Sequence, residues 1–354
     1  MPGEKILLVQ TGFLGDVILS TPVIKTLRRL YPESPITVLT TPLAAPLIEF
    51  NPDVAAVIRY DKRGADRGLG GFFRLAAELR RRNFSAAFSL HKSYRTAALL
   101  AAARIAKRFG FSEAALSWLY TRTASRTGCA HEVLRNLAIF KAVDAEPAAV
   151  DQNMAVYFPP EMAGLVAERL GFQPNEKLIG LAPGSVWATK RWTVEGFAEL
   201  AHKLVGAGQR VVLIGGPDDS AVGLEIERAA GVPVVNLIGK LSLLQSACLI
   251  SQLRVLVSND SAPLHLASAA RTPVVAVFCA TVPEFGYGPW QTEHEIVGVS
   301  GLSCRPCGRH GGQHCPTGTH ACQRQLTADT VFQAVVRLMM RTTPQKFAGS
   351  QPLH

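Results

Sequence analysis

The chain has 354 residues, 48% hydrophobic and 18% charged; this length accommodates two domains of ordinary size, and the balance excludes a disordered polyelectrolyte. The net charge of +10 is uneven: residues 1–150 hold 21 Lys and Arg against 12 Asp and Glu, residues 151–354 hold 16 against 15. The first part therefore suits an anionic partner, whether nucleic acid, an acidic lipid surface or a phosphorylated substrate.

In chain order, Glu4 and Lys5 stand directly before a short apolar strand, residues 5–10. That start is unlike a secretory signal, and no apolar run reaches the roughly 18 residues of a membrane span, so a cytoplasmic protein is expected. Seven cysteines there are thiols or metal ligands rather than disulfides. A glycine-bearing turn, residues 11–16, leads into a helix expected over 17–30, with Val17, Leu19, Val23, Ile24, Leu27 and Leu30 on its buried side. Strands follow at 36–40 and 54–60, then a glycine-rich loop at 64–71, a helix at 72–82 and a strand at 86–90. The segment 145–177 changes character, with Glu146-Pro147, Phe158-Pro159-Pro160 and Gln173-Pro174, and the domain linker is placed at its end. Strands at 178–182, 210–214, 234–237 and 273–278 then alternate with helices at 195–205, 219–230 and 243–251. A last helix spans 327–340, capped by Thr327, and the tail 341–354 is expected to be disordered. Strand–helix alternation in both parts specifies an α/β protein with two parallel sheets.

Four stretches carry candidate chemistry. Gly12-Phe-Leu-Gly15-Asp16 begins like a dinucleotide fingerprint, but Ile18 replaces the third glycine and Asp16 would set negative charge beside a pyrophosphate. Asp16 is instead a helix cap or a base. Pro183-Gly184-Ser185 followed by Lys190-Arg191-Trp192 places two cations after a small-residue turn, suited to phosphate or to a sugar carboxylate, or else a solvated loop anchored by Trp192. Residues 254–270, RVLVSNDSAPLHLASAA, read as a buried strand that stops at small polar residues and opens a helix, where Asp260 or Ser261 can cap and Pro263 fits the first turn. Unpaired N–H groups and the helix dipole make such a start either a diphosphate site or an ordinary capped turn. Cys304-x2-Cys307-x7-Cys315-x6-Cys322, with His310, His314 and His320 between, has one metal-type spacing and no second CxxC. It reads as loop thiols, a zinc site or a disulfide.

GDVILSTP (15–22), PGSVWATKRW (183–192) and NDSAPLHLASA (259–269), in this order, closely resemble the bacterial heptosyltransferases of lipopolysaccharide inner-core assembly, over residues 5 to about 338. The cysteine run is more similar to the second of those enzymes than to the first. Ser20-Thr21 and Trp192-Thr193 vary from the commoner TT and WP, and 308–312 is glycine-richer than the family pattern. The resemblance implies the GT-B architecture, two facing Rossmann-like domains with a cleft between them. It implies an acceptor domain at 1–172, a donor domain at 178–326, a terminal helix at 327–340 packing back on the first domain, and a flexible tail at 341–354. The implied reaction is inverting transfer of L-glycero-D-manno-heptose from ADP-heptose to the heptose-Kdo2-lipid A inner core, with no required cofactor or metal.

Asp16 matches the family's general base and Lys190 its phosphate-contacting lysine. The donor would meet Gly184, Ser185, Gly215, Gly216, Asp219, Asp260, Ser261, Ala262 and His265; the acceptor side would include Gly12, Gly15, Arg63, Lys92 and Arg95. Expected partners are the lipid A-Kdo acceptor and the anionic inner face of the cytoplasmic membrane, with the protein peripheral there and no nucleic acid bound. The alternatives are the first or third heptosyltransferase, a GT-B-fold sugar-nucleotide epimerase, or a zinc- or nucleic-acid-binding module.

Overall fold

The computed structural model describes residues 4–171 and 178–342. The expected linker at 173–177 lies outside the described residues, as does the expected tail beyond residue 342. The chain divides into two compact units, Met1–Tyr157 and Phe158–His354.

In the first unit the elements are β1 (Ile6–Val9), α1 (Leu14–Ile18), α2 (Thr21–Leu30), β2 (Ile36–Thr40), α3 (Pro46–Glu49), β3 (Ala56–Arg59), α4 (Gly68–Arg82), β4 (Ala86–Ser89), α5 (Tyr94–Ala102), β5 (Lys107–Phe111), β6 (Arg122–Ala124) and α6 (Glu132–Leu137). Its six strands are all parallel in the order β3-β2-β1-β4-β5-β6. β1 and β4 are wholly buried, as a central parallel strand covered on both faces must be.

The second unit runs α7 (Met162–Leu170), β7 (Leu178–Ala182), α8 (Val194–Gly206), β8 (Arg210–Leu213), α9 (Ser220–Ala230), β9 (Val235–Asn236), α10 (Leu243–Ser251), β10 (Val255–Asn259), α11 (Ala262–Ala270), β11 (Val274–Val277), β12 (His294–Val297), α12 (Ala321–Arg324) and α13 (Ala328–Arg341). Its parallel order, β12-β11-β10-β7-β8-β9, repeats that of the first sheet. In each unit the strand order reverses between the first and fourth strands. Open α/β sheets bind ligands at this switch point, beyond the carboxyl ends of the strands. All strands of a sheet being parallel, every loop that follows a strand lies along that one edge.

Three expectations change. The helix expected over 17–30 is two helices, because Pro22 has no N–H to continue the ladder. The hydroxyls of Ser20 and Thr21 donate instead to the carbonyls of Val17 and Ile18, both at 2.8 Å, and α2 restarts at Thr21. The boundary between units falls at Tyr157, not at 172, because α7 packs on α10 of the second unit; its Val166 is buried and Gln252 Nε2 donates to Ala163 O at 3.5 Å. The terminal helix is part of the second unit. Val331, Ala334, Val335 and Leu338 of α13 join Leu200 and Leu204 of α8 in the core of the second unit. Its cap is as expected, with Thr327 Oγ1 accepting from Thr330 N at 3.2 Å.

Candidate active site

In the second unit, the loops after β7 and β10 meet at the switch point. Asn259, the last residue of β10, ties them together: its Oδ1 accepts from Trp192 N at 3.1 Å, and its Nδ2 donates to Pro183 O at 2.7 Å. Trp192 is buried, donates from Nε1 to Leu326 O at 2.9 Å, and lies against Gly196, where a Cβ would come within 2.4 Å of its ring. The tryptophan is thus the anchor of the turn, and Lys190 is carried by it into position. Lys190 Nζ lies 2.6 Å from Asp260 Oδ2, both side chains largely buried. That oxygen also accepts from Thr281 Oγ1 at 2.7 Å. An ammonium has three donors, so the pair orients Lys190 without exhausting it.

α11 begins immediately after this pair, with Ser261 at its N-cap, Ala262 at its first position and Pro263 beside it. Neither expected cap is used. Asp260 is committed to Lys190 and Thr281, and the Ser261 hydroxyl turns back to Asn259 O at 3.4 Å. The helix start, with its partial positive charge, therefore lies next to the ammonium of Lys190. His265, one turn on, is buried, its ring centroid 6.4 Å from that of Tyr287.

The loop after β8 joins the same edge. A Cβ on Gly184 would fall 2.1 Å from Asp219 Oδ2, and one on Gly215 would fall 3.2 Å from it, so the glycines admit this carboxylate between two loops. Burial pushes the Asp219 pKa up, opposed by the charge of Arg191 and the Gly216 N–H. Arg191 Nε donates to Ser185 O at 2.8 Å. Gly184, Ser185, Gly215, Gly216, Asp219, Lys190, Asp260, Ser261 and Ala262 thus gather along one sheet edge.

In the first unit, Gly12 and Asp16 follow β1. Asp16 Oδ2 accepts from Phe13 N at 2.9 Å, and a Cβ on Gly12 would lie 2.6 Å from it. Asp16 is therefore a capping residue that also presents its carboxylate at the switch point; Gly15 lies beside it in α1. The nearby cations include one that motif reading passed over. Lys62, two residues beyond Tyr60 in the loop after β3, donates to Thr11 O at 2.7 Å. Its pKa is lowered by burial, then by Arg63 and Arg95, while Asp16 acts in the opposite direction. His91, after β4, contacts Thr11 Oγ1 at 3.4 Å and Thr96 Oγ1 at 3.3 Å. Burial, then the charges of Lys62 and Lys92, holds it down at about 4, so the ring is neutral at pH 7. No motif flags Lys62 or His91, but both follow parallel strands, and that position was the available signal. Arg95, expected on the acceptor side, stands in the first turn of α5. It donates to Asp66 O and Gly68 O at 3.1 and 3.0 Å and to the Tyr60 hydroxyl, holding the loop before α4.

Cys304, Cys307 and Cys315 are free thiols in one excursion between β12 and α12, and Cys322 is a free thiol within α12. Among the described residues no group of three or more His, Cys, Asp or Glu stands in a metal-holding arrangement. Burial and the neighbouring thiols raise Cys307, and push Cys322 up to about 11. Cys315 is drawn down to about 6 by the Thr317 hydroxyl and the His320 N–H.

Two Rossmann-like units of identical strand order, one with a buried lysine at a helix start beside its switch point, have the architecture of the GT-B glycosyltransferases. Solved structures of this class superpose on nearly the whole chain. A family 9 glycosyltransferase from Veillonella parvula gives a TM-score of 0.85 at 23% identity, covering 97% of this chain and 99% of that one. The Escherichia coli ADP-heptose lps heptosyltransferase II gives 0.78 at 24%, covering 95% and 99%. Residues 72–315 match the model of glycosyltransferase family 9 (heptosyltransferase), and the chain belongs to that family; it is a glycosyltransferase. Among curated relatives, lipopolysaccharide heptosyltransferase 2 of Salmonella typhimurium is 28% identical over 79% of this chain and 84% of its own length. Lipopolysaccharide heptosyltransferase 3 of Escherichia coli is also 28% identical, over 78% and 84%.

Proposed function

We propose that this enzyme transfers L-glycero-D-manno-heptose from ADP-heptose to the heptose-Kdo2-lipid A inner core, with inversion at the anomeric carbon. The observation that carries the donor half is the Lys190–Asp260 pair at the start of α11. A departing ADP leaves negative charge on its diphosphate. The Lys190 ammonium and the N–H groups of the helix start offset that charge where it develops. On the acceptor side Asp16 takes the proton from the attacking hydroxyl, a role that needs its carboxylate within hydrogen-bond reach of that group. The reaction so described calls on no cofactor, and ADP is expected to stabilise the protein without added metal.

The acceptor is lipid-anchored, and the excess positive charge of residues 1–150 favours an anionic surface. The reading therefore places the enzyme in the cytoplasm, peripheral at the inner membrane face, with no nucleic acid partner. No helix among the described residues is long and apolar enough to cross a membrane. A relative named heptosyltransferase 3 matches as well as one named heptosyltransferase 2. Addition of a third heptose is accordingly the second reading.

Incubating the protein with ADP-heptose and core acceptors that carry zero, one or two heptoses, then weighing the products, separates the readings. A mass gain of one heptose on the one-heptose acceptor alone is expected. A gain on the two-heptose acceptor alone would favour the third-heptose enzyme, and no gain with any of them would reject both.

A further inference from the structure

The segment from the end of β12 through α12, which holds the four cysteines, contacts residues next to both members of the Lys190–Asp260 pair. On the lysine side, Gly312 O accepts from Thr189 N and from Thr189 Oγ1, each at 3.0 Å, and Gly312 N donates back to Thr189 Oγ1 at 2.8 Å. Gly311 has φ +76°, and a Cβ there would lie 3.1 Å from Lys190 Cγ. On the aspartate side, Arg305 donates from Nη2 to Thr281 O at 2.9 Å, and Cys307 N donates to Ala280 O at 2.9 Å. Thr281 is the residue whose hydroxyl reaches Asp260.

The excursion ends at Gln323 in α12, which is 9% exposed. Its Nε2 donates to Ala188 O at 3.0 Å and also to Arg191 O, spanning the turn that carries Thr189 and Lys190. Its Oε1 is in hydrogen-bond contact with His320 Nδ1, which sets the flip of the amide: oxygen toward the histidine, nitrogen toward the carbonyls. One NH2 group supplies both donors, so the side chain clamps the two ends of a single turn.

We propose that Gln323 is a positioning residue for the donor site, its amide fixing the turn that presents Lys190 to the diphosphate. This rests on the reading of Lys190 as the phosphate-contacting residue. Its amide acts by holding two backbone carbonyls. A lysine side chain is long and flexible, so its value to a departing diphosphate depends on the turn that carries it being held.

The test uses the full chain and reads ADP affinity by calorimetry alongside steady-state turnover. Gln323→Ala is expected to weaken ADP about tenfold and to raise the KM for ADP-heptose, with kcat lowered as well. Gln323→Glu keeps the shape but sets a carboxylate against two carbonyls. Its defect is expected to exceed that of Gln323→Ala at pH 8 and to shrink toward pH 5.5, where protonation restores one O–H donor. Thr327→Ala, which removes the side-chain cap of α13 in the same unit, is the control for lost stability and is expected to leave ADP affinity unchanged. ADP affinity of Gln323→Ala within twofold of wild type overturns the proposal. So does a Gln323→Glu defect that does not respond to pH, or a loss of ADP affinity in Thr327→Ala equal to that in Gln323→Ala. If the unaltered protein binds no ADP, the donor reading itself fails; if it binds ADP but transfers no heptose, only the acceptor assignment is lost and the Gln323 comparison still stands.

Discussion

Asp16 combines two roles that a sequence cannot separate, since a cap and a base both require a carboxylate at a strand-to-helix turn. The structure shows the cap: one oxygen receives the Phe13 N–H. Asn at this position retains a carbonyl oxygen for that bond but has no basicity. Asp16→Asn is therefore expected to lower turnover by about 10²-fold or more while leaving the ADP-induced thermal shift near wild type. Turnover within a few-fold of wild type would leave Asp16 as a cap alone. His91 offers a second test, of stability rather than rate. Its folded-state pKa of about 4 lies below the usual 6.5, so the unfolded chain binds this proton more readily. The stabilisation is complete above pH 6.5 and is lost as the pH falls toward 4, at most about 3–4 kcal/mol from 1.36 kcal/mol per pH unit. Urea unfolding of His91→Gln is expected to show a shallower acid loss than wild type over that window. Identical slopes would mean that the ring is not held neutral.

At the scale of elements, central parallel strands were the most legible. β1, β4, β7 and β10 are short apolar runs because both faces are covered, and they stand close to where hydrophobicity places them. The strands at the margin were not legible. β5 reads KRFGF and β6 only RTA, with Arg122 and Thr123 exposed, so neither shows a burial period. The break between α1 and α2 was visible as Pro22, but the apolar spacing ran through it and outweighed it. Hydroxyls at Ser20 and Thr21 complete the break by taking the carbonyls that the helix would have used. The cysteine excursion was conspicuous in sequence for its thiols. Its structural contribution lies instead in Gly312, Arg305 and Gln323, residues of no motif, whose partners are more than a hundred positions away or belong to another strand's loop.

At the scale of the whole molecule, the uneven charge carries the membrane reading, and it is open to direct measurement. The full chain is expected to co-sediment with vesicles containing phosphatidylglycerol at low salt and to be released as ionic strength rises past physiological, because exposed charges are screened within about 8 Å at 0.15 M. Neutral phosphatidylcholine vesicles should leave it in solution. Equal partition onto both, or binding indifferent to salt, would reject the electrostatic contact. Composition and strand–helix alternation were enough to specify two parallel-sheet units, because burial on two faces imposes a local pattern that a linear reading can detect. The three motifs, in their order, were enough for the family. Tertiary structure alone decided that α7 and α13 belong to the second unit, that Lys190 pairs with Asp260 seventy residues away, and that Lys62 and His91 flank the Asp16 turn. Such pairings depend on which strand ends a sheet brings side by side. That order is set by packing across the sheet, and no local period along the chain records it.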